Sequence, residues 1–305
     1  MIKVILACCH YQNSPGTYYY VNRALRKLLG NDAVVTIGNA NDIDTREVNP
    51  YPILMDKINA GELDLDPKAI LLEVESGGFD LGWTPPPEFP FKKAYWAIDS
   101  HISLIHHQPK SRFYDHVFLA QNAYVKQVQE YNKNTAWLPL ACDEELHDGN
   151  RFPDQPMIPC DITFVGHFYP AVHQRRMGLV HYLQSSGVQV GIFSDLWLDK
   201  VTEVYRKSRM VLNCALRGDI NMRFFEALAS GRCMVTDQLP PESGIKELLG
   251  GEQVCLFYNS PEEARMMIKN PPKDPDAIGM VGREWVLAGH TYQHRMKKVL
   301  EVVGG

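Results

Sequence analysis

The chain has 305 residues, of which 45% are hydrophobic and 22% are charged, and its formal net charge is −5. These values are typical of a globular protein and exclude a disordered or low-complexity chain. At roughly 100–200 residues per domain, the length predicts two domains. The acidic balance, without a long basic run, argues against a nucleic-acid partner, because such proteins normally present a basic patch.

Seven cysteines are scattered through the chain, mostly within apolar runs. They form no Cys-x-x-Cys pair and no Cys/His cluster with zinc spacing, so we expect buried thiols in a reducing compartment rather than a metal site. The apolar N-terminus is too short for a signal peptide, and no stretch of about 18 apolar residues is present. The sequence therefore predicts a cytoplasmic protein without a membrane span.

The first half of the chain alternates strands and helices. Ile2–Cys9 predicts a strand, Gln12–Gly16 a turn, and the amphipathic stretch after it a helix that ends at Gly30. A helix is also predicted at Ala123–Tyr131, and strands are predicted at Ala33–Ile37, Ala69–Val74, Lys93–Ile98, His116–Ala120 and Thr135–Leu138. Alternation of this kind is typical of a parallel α/β sheet.

A polar, proline-bearing stretch, Cys142–Pro159, is the predicted linker, after which the same alternation begins again. Strands are predicted at Asp161–Gly166, Val188–Phe193, Met210–Cys214, Cys233–Thr236 and Val254–Tyr258. Helices are predicted at Arg175–Ser185, Val201–Ser208, Phe224–Ala229, Ile245–Leu249, Pro261–Ile268 and about Ala277–Val303, the last with a break near Gly289. The sequence thus predicts two doubly wound α/β domains with a cleft between them, and open parallel sheets place ligands at the carboxyl ends of their strands.

The segment Asn213–Asp237 carries the strongest chemical signal. A strand ends near Cys214 and a helix begins near Met222, so free backbone N–H groups at the helix start form a natural anion site. Arg223 adds a guanidinium suited to phosphate, and Glu226 follows within one helical turn, where a carboxylate is suited to ribose hydroxyls. The alternative is a surface Arg–Glu pair on an ordinary helix.

Three motifs of the second half resemble retaining GT-B glycosyltransferases of the glycosyl transferase group 1 superfamily. They are closest to its CgeB-like (spore maturation protein-like) branch. The motifs are Asn221–Asp237, Asp161–Gly166 with Arg175 and Arg176, and His290–Arg295, and together they span most of residues 160–305. In the first half only Tyr95–His101 and Trp137–Ala141 carry the resemblance.

The resemblance implies a GT-B fold with a Rossmann-like acceptor-side domain at 1–150 and a nucleotide-sugar domain at 151–285. A C-terminal helix at 286–305 would return to the first domain, anchored by Tyr292. The implied activity is transfer of a sugar from a nucleoside-diphosphate sugar, of UDP or GDP type, with retention and without a cofactor or metal. The acceptor, a glycan, a protein or a small molecule, is not identified by the sequence.

By the same resemblance, Glu226 would hold the ribose, and Arg223 with Asn221 would lie near the pyrophosphate or the sugar. Many relatives carry a sugar-facing glutamate eight residues before the ribose glutamate, but this sequence has Gly218 there. The neighbouring Asp219 is the candidate substitute, and the retaining outcome depends on it.

Further candidates lie at helix starts and strand ends. Arg175 and Arg176 would neutralise the departing diphosphate, unless they are solvated arginines at a helix start. Asp99 would act as base toward the acceptor and His101 would face the sugar, unless the histidine belongs to the hydrogen-bond network of its own domain. Gly16 would let backbone N–H groups approach a phosphate or the acceptor, unless it is an ordinary turn glycine.

Two other functions fit the sequence. The glycine at position 218 suits a non-catalytic nucleotide-sugar-binding protein, and some sugar-nucleotide epimerases share the GT-B architecture. A DNA-modifying transferase is disfavoured by the acidic balance.

Overall fold

A computed structural model describes residues 1–8, 16–38, 41–45, 48–75, 82–153 and 156–304. Cys9 and the predicted turn residues Gln12–Pro15 lie outside the described residues. The chain forms two compact units, one of Met1–Leu140 with Tyr292–Gly305 and one of Ala141–Thr291. The domain boundaries proposed from the sequence, after residues 150 and 285, stay predictions.

The first unit is built on a seven-stranded sheet with the order β3-β2-β1-β4-β5-β6-β7. Every neighbouring pair in it is parallel. Its strands are β1 Ile2–Cys8, β2 Val34–Gly38, β3 Ile43–Asp44, β4 Leu65–Val74, β5 Lys92–Ala97, β6 His116–Leu119 and β7 Thr135–Trp137. Strands of a parallel sheet are covered on both faces, and this is why they were readable as continuous apolar runs.

Helices surround this sheet at α1 Thr17–Leu29, α2 Pro50–Asn59, α3 Ser100–Ser111, α4 Val125–Gln129 and α11 Tyr292–Gly304. The sequence did not predict α2 or α3. The α2 helix begins because the Asn49 side chain accepts a hydrogen bond from the Tyr51 N–H (3.1 Å) and Pro50 occupies the first turn. The α3 helix contains Pro109 and buries His107, Lys110 and Ser111, so it shows no clear apolar stripe.

The C-terminal helix α11 belongs to the first unit. Its first residue, Tyr292, is fully buried and stacks on Tyr20 with ring centroids 5.2 Å apart. Arg295 donates from Nε to the Pro139 carbonyl at 2.8 Å. The single long helix predicted to about Val303 is therefore two helices, and the break falls at residues 290 and 291, close to the predicted glycine.

The second unit is built on a five-stranded parallel sheet with the order β12-β11-β10-β8-β9. Its strands are β8 Ile162–Val165, β9 Val190–Phe193, β10 Val211–Leu212, β11 Met234–Asp237 and β12 Leu256–Tyr258. Its helices are α5 Gln174–Ser185, α6 Asp199–Arg206, α7 Met222–Ala229, α8 Ile245–Leu249, α9 Pro261–Lys269 and α10 Pro275–Gly289. No helix in the described part of the chain is long and apolar enough to cross a membrane.

The two strand orders place a ligand crevice in each unit. The first sheet follows the Rossmann order 3-2-1-4-5-6 with one strand added, and the second follows the flavodoxin order 2-1-3-4-5 when its strands are counted from β8. The order reverses between β1 and β4 in the first sheet and between β8 and β10 in the second. Ligands of open parallel sheets bind beyond the carboxyl ends of the strands at such a reversal.

Candidate functional site

At the carboxyl edge of the second sheet, Asn221 starts helix α7. Its side-chain oxygen accepts a hydrogen bond from the Phe224 N–H at 3.0 Å, which is the geometry of a helix cap. Its amide Nδ2 donates to Asn213 Oδ1 at 3.3 Å, just beyond β10. Asn213 is buried and fixed in turn by its bond to Thr236 Oγ1 at 3.0 Å. The predicted helix start thus exists, and its asparagine has a structural role in holding the loop.

Arg223 projects from the first turn of α7 toward the end of β8. Its Nε donates to the Val165 carbonyl at 2.6 Å, and its guanidinium carbon lies 4.6 Å from the Phe164 ring centroid. Gly166 makes room for it: a Cβ there would lie 2.3 Å from Arg223 Nη2, and the residue adopts a φ of 149°. The glycine that ends β8 is therefore required by the position of the arginine.

Arg176, on α5, brings a second guanidinium to the same ring. It is buried, with its guanidinium carbon 5.1 Å from the Phe164 centroid. It donates to the His167 carbonyl at 2.9 Å and to the Cys214 carbonyl at 3.3 Å, which follow β8 and β10. Burial and the nearby charge of Arg223 lower the pKa of Arg176 to about 10, so the Arg176 side chain remains cationic at neutral pH.

These two side chains, Arg176 and Arg223, form a guanidinium pair at the reversal between β8 and β10. Within the described ranges no carboxylate forms an ion pair with either of them, and the buried Nε of Arg176 has no hydrogen-bond partner. Burial of Arg176 beside a second guanidinium, without an ion-paired carboxylate, is unfavourable. The arrangement is therefore suited to an anion with several oxygens, such as a phosphate or diphosphate.

The other predicted residues of this edge are held by different partners. Arg175 is 58% exposed and forms an ion pair of 2.7 Å with Asp237, whose second oxygen accepts from the Ala215 N–H at 2.9 Å. Arg175 is therefore largely solvated, as the alternative reading had it for both arginines, whereas Arg176 is not. Asp219 is buried and accepts from the Leu216 N–H at 2.9 Å, which closes the loop after β10.

Position 218 has a conformation that explains its glycine. Gly218 adopts a φ of 75°, and a Cβ there would lie 2.9 Å from two side-chain carbons of Pro240. A glutamate at this position would have to bear left-handed backbone strain and displace the proline. The sugar-facing carboxylate of the resembling enzymes is thus replaced by a tight turn in this loop.

Glu226 contacts a histidine that the sequence analysis placed in the linker. Glu226 is buried, and its Oε1 lies 3.4 Å from Nε2 of the fully buried His147. The other ring nitrogen of His147 accepts from the Asp143 N–H at 3.0 Å, which orients the imidazole. In the described part of the chain Arg223 and Glu226 form no ion pair, so the interpretation as a surface Arg–Glu pair is wrong.

Aromatic side chains stand beside the guanidinium pair, in the loops after β8 and β9. The ring of His167 stacks on that of Tyr169 with centroids 5.3 Å apart, and its centroid lies 6.2 Å from that of Trp197. The ring centroids of Tyr169 and His173 are 5.7 Å apart. Tyr169 is 58% exposed. Burial, and then the charges of Arg176 and Arg223, lower the pKa of His173. These four side chains, the aromatic array, offer flat surfaces within the positive field of the pair.

The same loops contain unusual backbone conformations. Asp195, Leu198 and Arg217 have φ values of 57°, 56° and 52°, and they are the non-glycine residues with positive φ in the described ranges. All three lie after β9 or β10, at the carboxyl edge. Left-handed conformations of such residues cost of order 1–3 kcal/mol each and cluster at ligand sites.

In the first unit, Glu75 organises the corresponding edge. It lies just after β4, is buried, and its Oε2 accepts from the Ile98 and Asp99 N–H groups at 2.7 and 3.2 Å. The same oxygen lies 2.9 Å from Nε2 of the buried His107 on α3. Burial alone would raise the pKa of Glu75, but the hydrogen bond and charge of His107 and the two N–H groups outweigh it and lower this pKa.

Asp99 lies just after the end of β5, and its carboxyl has a raised pKa. It is half-buried, and burial, followed by the negative charge of Glu75, raises the pKa of its carboxyl to about 6. His101 is buried in the first turn of α3. Gly16 caps α1 with a φ of −86° and open space at its Cβ position, so neither backbone conformation nor packing requires a glycine there.

The structure thus unites Arg176, Arg223 and Asn221 in the second unit and places Asp99 and His101 together in the first. The sequence analysis missed the residues that hold them in place, which are Glu75, His107, Gln121, His147, Phe164 and Asn213. Their partners are distant in sequence, so no local pattern marks them. Among the described residues no group of three or more His, Cys, Asp or Glu side chains is arranged to hold a metal ion.

Comparison with known proteins agrees with this architecture. A family model described as glycosyl transferase-like matches residues 162–301. No curated protein matches the sequence significantly. Among solved structures, an α-glucosyltransferase in complex with UDP and a 13-mer DNA containing a HMU base has a TM-score of 0.64 and 11% identity, with 100% of both chains covered.

Two further structures are similar over nearly the whole chain. HepE of Anabaena, in complex with UDP and glucose, has a TM-score of 0.62 and 10% identity, with 100% of both chains covered. BGT of T4 phage, in complex with UDP and Mn²⁺, has a TM-score of 0.64 and 12% identity, with 99% of both chains covered. At these identities the likeness concerns the fold. The chain has the GT-B fold of two Rossmann-like parallel α/β domains, and its residues 162–301 are glycosyl transferase-like.

Proposed function

We propose that this protein is a glycosyltransferase that moves a sugar from a nucleoside-diphosphate sugar to an acceptor hydroxyl. The observation that carries the proposal is the guanidinium pair of Arg176 and Arg223 at the strand reversal of the second sheet. Its two cations gather around one aromatic ring without a carboxylate partner among the described residues. A diphosphate supplies the missing negative charge and enough oxygens for both guanidiniums.

In this proposal the nucleotide base lies against the aromatic array of His167, Tyr169, His173 and Trp197. The array is next to the pair, since the His167 carbonyl accepts from Arg176 at 2.9 Å. Base–aromatic stacking contributes about 1–3 kcal/mol per base. Glu226, with its oxygen 3.4 Å from His147, remains the proposed ribose contact. UDP is the first nucleotide to test, because the structures similar in fold contain it.

The guanidinium pair also provides the positive charge that the reaction needs. Negative charge develops on the departing diphosphate, and fixed cations aimed at it lower the barrier. We therefore propose transfer without a bound metal. The experiment is to compare activity with EDTA and with added Mn²⁺, since the similar T4 phage enzyme was solved with that ion. Activity that disappears with EDTA and returns with Mn²⁺ would refute this part.

The acceptor is proposed to use the first unit, with Asp99 as its base. The stereochemical outcome has two readings: the resemblance implies retention, whereas Asp99 and the glycine at position 218 suit a direct displacement, which inverts. Asp219 as the sugar-facing carboxylate belongs to the retaining reading. The anomeric configuration of the product, determined by NMR, distinguishes the two.

The test of the function is a donor panel with product analysis. The UDP, GDP, ADP and TDP sugars are incubated with and without mixed glycan, protein and small-molecule acceptors, and released nucleotide and modified sugar are measured. Transfer to an acceptor supports the proposal, whereas an isomerised sugar without acceptor indicates an epimerase. Nucleotide binding without hydrolysis or transfer indicates a non-catalytic binding protein, and no binding across the whole panel contradicts the proposed site.

A further inference from the structure

A buried chain of polar side chains surrounds the residues from which Asp99 projects. Glu75 Oε2 accepts from the N–H groups of Ile98 and Asp99 and lies 2.9 Å from His107 Nε2. His107 Nδ1 lies 3.0 Å from Ser100 Oγ. Glu75, His107 and Ser100 are at least nine-tenths buried.

A second side chain completes this arrangement from the neighbouring strand. Gln121, buried just after β6, accepts from the Ser100 N–H at 3.0 Å through its Oε1. The Asp99 carbonyl in turn accepts from the Ile102 and Ser103 N–H groups at 2.8 and 2.9 Å, which begins helix α3. Consecutive backbone N–H groups from Ile98 to Ser100 are therefore bound by side chains from other elements. We name Glu75, His107 and Gln121 the Glu75 clamp.

The clamp fixes the backbone and leaves the Asp99 carboxylate available. Among the described residues the Asp99 side chain has no hydrogen-bond or ion-pair partner, although the N–H groups of Ile98, Asp99 and Ser100 are all bound. Burying an ionised glutamate is unfavourable unless several donors bind it. Two backbone N–H groups do so here, both from the turn that presents Asp99, and His107 Nε2 lies 2.9 Å from the same oxygen.

We propose that Glu75 and His107 are positioning residues, which hold Asp99 in the orientation in which it takes the proton of the acceptor hydroxyl. The inference rests on the proposed function. Side chains that fix a base within a fraction of an ångström are a general requirement of acid–base catalysis. The titratable groups that face Asp99 are Glu75 from the end of β4 and His107 from α3. Glu75 therefore also acts on Asp99 through its charge.

The same strand and helix provide a matched control. Glu73 lies two residues before Glu75 on β4, and its Oε1 forms an ion pair of 2.5 Å with the buried Lys110 of α3. Tyr114 donates to the other oxygen of Glu73 at 2.5 Å. Glu73→Gln thus disturbs a half-buried carboxylate that joins the same strand to the same helix, without touching the turn at Asp99.

The experiment compares E75A, E75Q and E73Q with the wild type in steady-state transfer, with Kd for the donor and the pH profile measured in parallel. E75A, which removes the acceptor of the Ile98 and Asp99 N–H groups, should lower kcat by about 100-fold, the lower range of what a positioned base contributes. E75Q keeps an acceptor but loses the charge, so kcat should change less than tenfold while the acidic limb of the profile moves to lower pH. E73Q should leave both unchanged, and no variant should alter donor affinity.

A measurement without turnover keeps the test decisive. Carbon-detected NMR titration of the Asp99 carboxyl in wild type and E75Q should show a lower pKa for Asp99 in the variant, because a neighbouring negative charge is removed while burial persists. An unchanged Asp99 titration together with an unchanged kcat in E75A would overturn the inference. If the wild type binds nucleotides but transfers nothing, the proposed function fails separately, and the titration still reports whether Glu75 acts on Asp99.

Discussion

Both parallel sheets have a reversal of strand order with polar side chains at the carboxyl ends of the strands, but the charges of these side chains are opposite in sign. At the edge of the second sheet, Arg176 and Arg223 gather around Phe164, and no described carboxylate forms an ion pair with either. At the edge of the first sheet, Glu75 and Asp99 lie close enough that the charge of one raises the pKa of the other. One edge thus gathers cationic side chains, whereas the other gathers acidic ones.

The two edges also differ in the backbone conformation of their loops. The loops after β9 and β10 hold three non-glycine residues with positive φ, whereas in the first unit the turn at Asp99 is held by side-chain acceptors. Strained loops are a feature of ligand sites whose shape is set by the ligand. A turn bound by buried acceptors, in contrast, keeps a single side chain in one place. In the proposed function, the second unit binds the donor and the first unit takes the proton of the acceptor.

The largest effect is expected from removing the carboxylate of the first edge. Asp99→Asn should lower kcat by about 10²–10⁴-fold, the range for loss of a general base, and should leave the donor Kd unchanged. Steady-state transfer assays and calorimetry measure the two quantities. Asp56→Asn, on the exposed face of α2, is the control and should match the wild type. A D99N enzyme with full activity would remove proton transfer from the first edge.

Removing one cation from the second edge should act on binding instead. Arg176→Met should weaken nucleotide binding by about 100-fold, which is ~2.7 kcal/mol and within the range for charged hydrogen bonds. Isothermal titration calorimetry measures the change. Arg209→Met, at an exposed position of the same unit, should bind nucleotide like the wild type. Equal affinities in the two variants would contradict the role of the guanidinium pair.

The pH dependence separates the edges without mutation. Because the pKa of Asp99 is raised to about 6, kcat should fall tenfold for each pH unit below about 6, as the base becomes protonated. Donor affinity should not fall in this acidic range, since the pKa of Arg176 is about 10 and its charge is constant below that pH. Binding should weaken only as the pH rises past about 10. Parallel pH series of kcat and of nucleotide Kd test this.

A smaller effect is expected from a glycine that makes room for Arg223. A Cβ at residue 166 would lie 2.3 Å from Arg223 Nη2, so Gly166→Ala should displace the guanidinium and weaken nucleotide binding by about tenfold, or ~1.4 kcal/mol. Gly187 also has a positive φ, of 83°, but open space around it. Gly187→Ala should lower stability by about 1–2 kcal/mol from backbone strain alone and leave nucleotide affinity unchanged.

The smallest effect is expected at the cap of α7. Asn221→Ala removes the acceptor of the Phe224 N–H and should lower the free energy of unfolding by about 1 kcal/mol. Chemical denaturation measures it. Ser260 caps α9 in the same way, by accepting from the Glu263 N–H at 3.1 Å, so Ser260→Ala is the control. A loss of nucleotide affinity in N221A but not in S260A would show that Asn221 also contacts the ligand.

The sequence was most informative where structure is local. The buried parallel strands were readable as apolar runs, and the start of α7 was predicted near Met222. Two parallel α/β domains followed from these elements, whereas the GT-B fold was implied by the resemblance of the motifs in the second half. The second helix of the first unit was missed because its signal, a capped proline, is short, and α3 because it buries polar side chains.

Interactions between distant residues could not be read in the same way. The contact of Glu75 with His107, and of Glu226 with His147, depends on the order of strands and on loops that bring these residues together. Likewise, Arg175 and Arg176 are neighbours in sequence, yet one is exposed beside Asp237 and the other is buried beside Phe164. Their surroundings differ because the two side chains leave α5 in different directions.

A crystal structure with UDP bound tests the central claim most directly. We expect the diphosphate within hydrogen-bond distance of both Arg176 and Arg223, with the base against the aromatic array. A UDP that binds elsewhere, with the two guanidiniums still lacking an anion, would contradict the assignment of the second edge as the donor site.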